Sequence, residues 1–335
     1  MIQERLSLVL QAGSDELLFV GECMVEQTQT VAGTVRLSFG GDTYNAAVYF
    51  RRIAASLGMP VRVSYLTGVG DDEKSERLRQ IMAREGIGAR AFTVRDRSLG
   101  KYWIHLDPAG ERRFTYERRE SAAHALFSTD RWLTELKARV LYLSGVTLQL
   151  MPASVRARLV ERLRGARAAG SVVVFDTNYR PSEWSSRASA VAAMDEVTAA
   201  SDIVLASLAD EQQLHGVADA NAALDRLRRL GVAEFVVRAG AEGSWTHQAQ
   251  TTVYVPAQQP QQVRDTTAAG DAFGGAYLAA RLAGRAGAQA AHLAAHVSAV
   301  VIGYYGAVTE PDVLLLPPRY TTGSAGAPSI AGPLP

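Results

Sequence analysis

From residue 138 onward the chain keeps one rhythm. Apolar runs at 140–143, 171–175 and 203–205 are each followed by a helical stretch, at 152–169, 187–199 and 210–230. A fourth run, 234–238, leads into a hairpin pattern over 244–255, and two Ala-rich helical stretches follow at 270–283 and 289–304. Short runs with little polar alternation read as strands buried on both faces, and strands separated by helices pair in parallel. The rhythm therefore confines the chain to an α/β fold, with a mostly parallel central sheet flanked by helices. The N-terminal half fits the same scheme, with strands at 17–21 and 61–65 and helices at 42–57 and 72–85. In the 42–57 helix, Ala46, Ala47, Phe50, Ile53, Ala54 and Leu57 fall three and four apart, and Gly58 stands where a helix-ending glycine belongs. A length of 335 residues suits one such domain with a small appendage.

Two segments break the rhythm. Residues 25–37 are rich in Thr, Val and Gln, and residues 91–119 hold short alternating runs at 91–94, 101–106 and 113–118, with turn chemistry at Asp107-Pro108-Ala109-Gly110. Together they predict a second, small β-sheet outside the main layer, placed as a lid. Residues 1–16 are expected to form a loosely ordered extension. Residues 317–335, rich in Pro, Gly, Ser and Ala, are expected to be a disordered tail, leaving a domain over 17–316.

Composition narrows the partners. Thirty-five Lys and Arg against 34 Asp and Glu leave a net charge of +1, which gives no footprint for nucleic acid or an anionic membrane. No apolar stretch reaches the roughly 18 residues of a membrane span. The first residues lack the basic-then-apolar layout of a secretory leader, so a cytoplasmic protein is expected. The single cysteine, Cys23, excludes an intrachain disulfide and reads as a small buried hydrophobe. The six histidines show no metal-binding spacing. His292 and His296 are four apart on a helix but lack a third ligand.

In open parallel sheets a ligand sits beyond the carboxyl ends of the strands. The segment Asp265-Thr266-Thr267-Ala268-Ala269-Gly270-Asp271-Ala272-Phe273 falls at such a place. Its small residues let a ligand approach the backbone. The first N–H groups of the helix that follows, and its dipole, favour an anion. Asp271 adds a negative charge beside that anion, which suits a base taking a proton from an attacking hydroxyl. On spacing alone it is equally an ordinary acidic residue of a first helical turn.

This segment resembles the C-terminal signature of the ribokinase-type (PfkB) sugar kinases, D-T-x-G-A-G-D-x-F, with Ala268 in place of the first glycine. The glycine pair of Phe39-Gly40-Gly41-Asp42-Thr43-Tyr44-Asn45-Ala46-Ala47 resembles the N-terminal motif of the same family. Within it the chain is most similar to the 2-dehydro-3-deoxygluconate kinases. That similarity is carried by Gly21-Glu22-Cys23-Met24-Val25-Glu26, Gly40 to Asn45, Phe175-Asp176-Thr177-Asn178-Tyr179-Arg180-Pro181 and the Asp265 segment, and spans about residues 17–315.

The resemblance implies a ribokinase-like fold and an ATP-dependent kinase that phosphorylates the 6-hydroxyl of 2-dehydro-3-deoxygluconate. It also implies Mg2+, leaves a monovalent cation open, and suggests a homodimer formed through the lid. Asp271 would be the general base, with the amides of Ala268, Ala269 and Gly270 as an anion hole. Gly40 and Gly41 would admit the sugar, and Asn45 would bond its hydroxyls. Tyr102, Tyr116 and Arg118 would hold the sugar, with Arg118 and Arg180 near its carboxylate. Residues 102 and 116 have the same parity around the turn and can share one hairpin face. Asn178, Ser207, Arg238, Gly240 and Gly243 would face the nucleotide. Asp210 would serve magnesium, with Ser207 where the family often has asparagine. Two alternatives stay open: a family kinase for fructose, ribose or ketodeoxygalactonate, and a sugar sensor without catalysis. No Gly-x-Gly-x-x-Gly follows the first strand, which argues against a dinucleotide-binding dehydrogenase.

Overall fold

A computed structural model describes residues 2–11, 16–29, 35–106, 112–314 and 316–321. Its strands are β1 (Glu16–Val20), β2 (Met24–Gln29), β3 (Val35–Gly40), β4 (Arg62–Val69), β5 (Ile87–Thr93), β6 (Lys101–Leu106), β7 (Arg112–Glu117), β8 (Val140–Ser144), β9 (Val172–Asp176), β10 (Ile203–Ser207), β11 (Glu234–Arg238), β12 (Ser244–Gln248) and β13 (Thr251–Val255). Nine of them form the main sheet, in the order β13-β12-β11-β10-β9-β8-β1-β4-β5. All neighbours from β11 to β5 pair in parallel, and only the β12–β13 end is antiparallel.

The apolar strand runs divide their side chains between two cores. Leu17 and Phe19 of β1, Val140 and Tyr142 of β8, and Val172 and Val174 of β9 enter one core. Leu18 and Val20, Leu141 and Leu143, and Val173 and Phe175 enter the other. A period of two with both faces covered is why these strands carry no polar alternation. On the first face the helices Asp42–Ser56 and Ala269–Leu282 pack closely. A Cβ added at Gly275 would lie 2.3 Å from the Ala46 carbonyl oxygen, so only glycine lets these helices approach as they do. Their first turns are thereby brought side by side.

The small sheet has the order β3-β2-β6-β7, with β2–β3 and β6–β7 antiparallel and β2–β6 parallel. It is the expected lid, with one change. Residues 91–93 belong to β5, paired with β4 at the edge of the main sheet. An edge strand is half exposed and alternates in polarity, so it reads like a hairpin arm. The turn expected at Asp107-Pro108-Ala109-Gly110 lies outside the described residues.

The described terminal residues, 2–11 and 317–321, differ from expectation. Residues 2–11, expected to be loose, form the helix Ile2–Gln11. Leu6 and Val9 on that helix are buried in the first core, and Arg5 donates to the Ser171 carbonyl at 2.8 Å and pairs with Asp202. Ile2, Leu6 and Val9 already show the i, i+4, i+7 spacing of a docked helix face. Leu6→Ala is expected to cost about 2 kcal/mol of stability, read as a lower denaturant midpoint with unchanged turnover. At the other end the tail begins with a short helix, Pro318–Thr321. Its buried Tyr320 ring packs 6.2 Å from the His292 ring and 5.2 Å from the His296 ring. That contact gives the histidine pair a packing role. The tail beyond 321 lies outside the described residues.

Candidate active site

The carboxyl ends of the parallel strands and the lid enclose a cavity of about 750 Å³. Residues just past β1, β9, β10 and β11, the residue just past β7, and both first helical turns line it. Of the residues singled out in the sequence, Gly41, Asn45, Tyr102, Tyr116, Arg118, Asn178, Arg180, Ser207, Asp210, Arg238, Gly240, Ala268, Ala269, Gly270 and Asp271 converge there. Gly40 and Gly243 do not.

Gly40 is packed: a Cβ there would lie 2.5 Å from the Tyr102 hydroxyl oxygen. Its small size makes room for the lid rather than the sugar. Gly243 closes the turn into the β12–β13 hairpin, where its carbonyl accepts from the Ala239 amide at 2.8 Å.

Asp271 sits in the first turn of the Ala269–Leu282 helix and is half-buried. Asn45 donates its side-chain N–H to Asp271 Oδ2 at 2.8 Å, while its own oxygen accepts from the Gly41 amide at 3.3 Å. Asn45, expected to bond sugar hydroxyls, therefore orients the carboxylate. Burial pushes the Asp271 carboxyl up to about 7, Asp42 and Asp176 add to the rise, and the Asn45 bond and Arg180 oppose it. A carboxyl titrating near neutrality is suited to take a proton and release it again. Ala268, just before this helix, holds φ at 60°, a left-handed conformation costly for a residue with a Cβ. Ala268, which stands where the family signature has glycine, thus holds a backbone conformation that glycine adopts freely.

At the lid end, β6 and β7 place Tyr102 opposite Tyr116, with rings 5.9 Å apart, as their parity predicted. The Tyr102 hydroxyl donates to Glu26, and Ser38 donates to the same carboxylate at 2.7 Å. Burial, then Glu26, pushes the Tyr102 phenol well up. Arg118 lies 2.9 Å from Glu22, with side-chain exposures of 7% and 1%, so its charge already has a buried partner. Arg180 donates to its neighbour's carbonyl, Tyr179 O, at 3.0 Å. Among the described residues no carboxylate lies within salt-bridge distance of it.

On the other side, Asn178 donates to Asp42 Oδ2 at 2.9 Å. The Ser207 hydroxyl caps the next helix by accepting from the Asp210 amide at 3.0 Å. The Asp210 carboxylate accepts from the Thr177 hydroxyl at 3.0 Å and the Tyr179 amide at 3.3 Å. Among the described residues no cluster of three or more acidic, His or Cys ligands gathers. A divalent ion beside Asp210 would then take most of its oxygens from phosphates and water, a mode natural to magnesium.

Arg238 departs from expectation. Its guanidinium donates to both Asp176 oxygens, at 2.6 and 3.1 Å, and to the carbonyls of Gly270, Leu205 and Ala206 at 2.9, 3.2 and 3.3 Å. All five donors are engaged within the protein, so none is left for a phosphate.

Reading the sequence for chemistry gave no role to Glu22, Glu26, Asp42 or Asp176, although each stands in or beside a motif segment. The signal was present: acidic residues within or just past a strand, or directly after a glycine, are rarely buried unless they have a partner. Here the partners are Arg118, Tyr102, Asn178 and Arg238.

A carboxylate poised near neutrality at a helix start, above a parallel sheet and beneath a β lid, defines a site for group transfer to a small polar ligand. The pfkB family carbohydrate kinase model matches residues 14–313, and the chain belongs to that family. It is 37% identical over 265 residues to the 2-dehydro-3-deoxygluconokinase of Dickeya dadantii, covering 77% of this chain and 84% of that protein. It is 35% identical over 269 residues to the enzyme of the same name from Escherichia coli K12, covering 78% and 86%. The aminoimidazole riboside kinase of Salmonella enterica, solved with aminoimidazole riboside and an ATP analog, superposes with a TM-score of 0.74 at 24% identity, over 89% of this chain and 96% of that one.

Proposed function

We propose that the chain transfers the terminal phosphoryl group of ATP to the 6-hydroxyl of 2-dehydro-3-deoxy-D-gluconate. The observation that carries the reading is the Asp271 carboxyl, held by Asn45 at a helix start and pushed up to about 7. Asp271 would accept the hydroxyl proton as the new O–P bond forms. The amides of Ala268, Gly270 and Asp271 would meet the charge on the transferring group, while the Ala269 amide already donates to the Thr266 carbonyl. Magnesium beside Asp210 would supply charge neutralisation between the phosphates. Gly240 lies on the cavity where the nucleotide would enter.

Of the three arginines that line the cavity among the described residues, Arg118 is paired with Glu22 and Arg238 with Asp176. Among the described residues Arg180 is the cavity arginine with no carboxylate within salt-bridge distance, and it would meet a substrate carboxylate. The relatives in Dickeya and Escherichia, at 35–37% identity, support an acid sugar. The reading further implies a cytoplasmic enzyme that dimerises through the lid, where Leu37 of β3 is 42% exposed.

The test is ADP release in a coupled assay with ketodeoxygluconate, ketodeoxygalactonate, fructose and ribose. The acid sugar is expected to exceed fructose and ribose in kcat/KM by about 100-fold or more. Turnover of the acid sugar no higher than that of Asp271→Asn would overturn the proposal. A single-species monomer in sedimentation would remove the dimer from it.

A further inference from the structure

We infer that Arg238 is a positioning residue: it fixes the turn that starts the Asp271 helix by holding the Gly270 carbonyl to the ends of three parallel strands. The inference rests on the kinase reading for its kinetic arm only.

The side chain leaves the end of β11. It meets the carbonyls of Leu205 and Ala206 on β10, the carboxylate of Asp176 at the end of β9, and the Gly270 carbonyl at the helix start. The guanidinium carbon also lies 5.9 Å from the centre of the Phe273 ring, one turn into the same helix. One residue thus joins three strand ends to the segment that carries the base. Asp176 is 3% exposed and takes a further bond from the Tyr142 hydroxyl at 3.2 Å, so the anchor is itself fixed.

The Gly270 carbonyl needs this partner for a local reason. The turn before it contains Ala268 in the left-handed region, where a residue with a Cβ is strained. A strained turn keeps its shape only when its surroundings over-determine it. Among the described contacts, two external bonds act on its carbonyls: Arg238 on the Gly270 carbonyl, and the Ser298 hydroxyl on the Ala269 carbonyl at 2.8 Å. The Ser298 bond comes from the neighbouring helix Gly287–Val301, and the Arg238 bond ties the turn to the sheet. A shift of the turn moves both the base and the amides aimed at the phosphoryl group, and misplacement by about 1 Å can cost on the order of 100-fold in rate.

The experiment separates positioning from nucleotide binding. Arg238→Met is expected to lower kcat at least about tenfold while KM for ATP stays within roughly threefold. Arg238→Lys is expected to recover part of the loss, because one ammonium can reach Asp176 and Gly270 but cannot replace five donors. Arg238→Met leaves a buried carboxylate unpaired and can unfold the protein. The pair Asp176→Asn with Arg238→Met removes that charge, and is expected to fold while its kcat stays low. In the free protein, with no substrate present, amide hydrogen exchange at residues 269–272 is expected to speed up at least about tenfold in the pair. This arm reports on the turn whichever sugar the enzyme uses. Three results would overturn the inference: a tenfold or larger rise in KM for ATP at unchanged kcat, a double variant with restored kcat, or unchanged exchange at 269–272.

Discussion

Asp271→Asn is expected to lower kcat by roughly 1000-fold, in the range found when a general base is lost, and to make the protein more stable above pH 7. The two effects share one cause. Burial and the neighbouring Asp42 and Asp176 push the carboxyl up to about 7, against roughly 4 in an unfolded chain. Between those values the folded state holds the proton and the unfolded state does not. Stability from this group is therefore complete below about pH 4 and is lost as pH rises through 7. The carboxyl faces an open cavity, so the full shift overstates the cost, and about 2 kcal/mol is the expected size above pH 7. Asparagine carries no charge to bury and escapes it. Thermal melts at pH 5 and pH 8 check the point: the variant should gain several degrees over wild type at pH 8 and little at pH 5. In the wild type, kcat/KM should rise with pH as one group ionises near 7 and level off above it. A flat profile from pH 6 to 8, or a variant that melts at the wild-type temperature at both pH values, would show that the carboxyl is not pushed up to about 7; kcat of Asp271→Asn within about tenfold of wild type would remove Asp271 from the role of base.

The sheet was legible because its strands are buried on both faces. A run such as Val172 to Phe175 has few other ways to satisfy both sides. The lid was legible as a break in that rhythm, but its boundary was not, since the edge strand β5 alternates like a hairpin arm. The N-terminal helix was missed although its apolar spacing is in the sequence. The surface it covers is assembled from distant elements, including Arg281, whose carbonyl accepts from the Gln3 side chain at 3.4 Å. The residues around the cavity were legible through their motifs, while the pairing of their charges was not. Whether an arginine faces a ligand or a carboxylate depends on which side chain stands opposite. Arg118 and Arg238 are paired with carboxylates, and among the described residues Arg180 is not. Asn45 shows the same limit, because its partner Asp271 lies 226 positions away.

Those pairings direct the second large effect to Arg180. Arg180→Ala is expected to raise KM for the acid sugar by roughly 100-fold, the scale of a lost charge-assisted bidentate contact, and to leave KM for ATP near wild type. Arg118→Ala is a poorer test of the same idea. It would strand Glu22, which is 2% exposed, and the damage would be to folding as much as to binding. Arg180 is exposed to the cavity and its removal strands no carboxylate among the described residues, so the variant should fold. Its charge also favours the ionised form of Asp271, which gives the variant a second, separable signature. With substrate saturating, the acid limb of kcat should move to higher pH, because the base then loses a cation that had stabilised its charged form. If KM for the acid sugar stays within about threefold of wild type while the limb moves, Arg180 acts on the base alone. The carboxylate of the substrate would then have to displace Glu22 from Arg118, and a neutral sugar would become the better fit to this cavity.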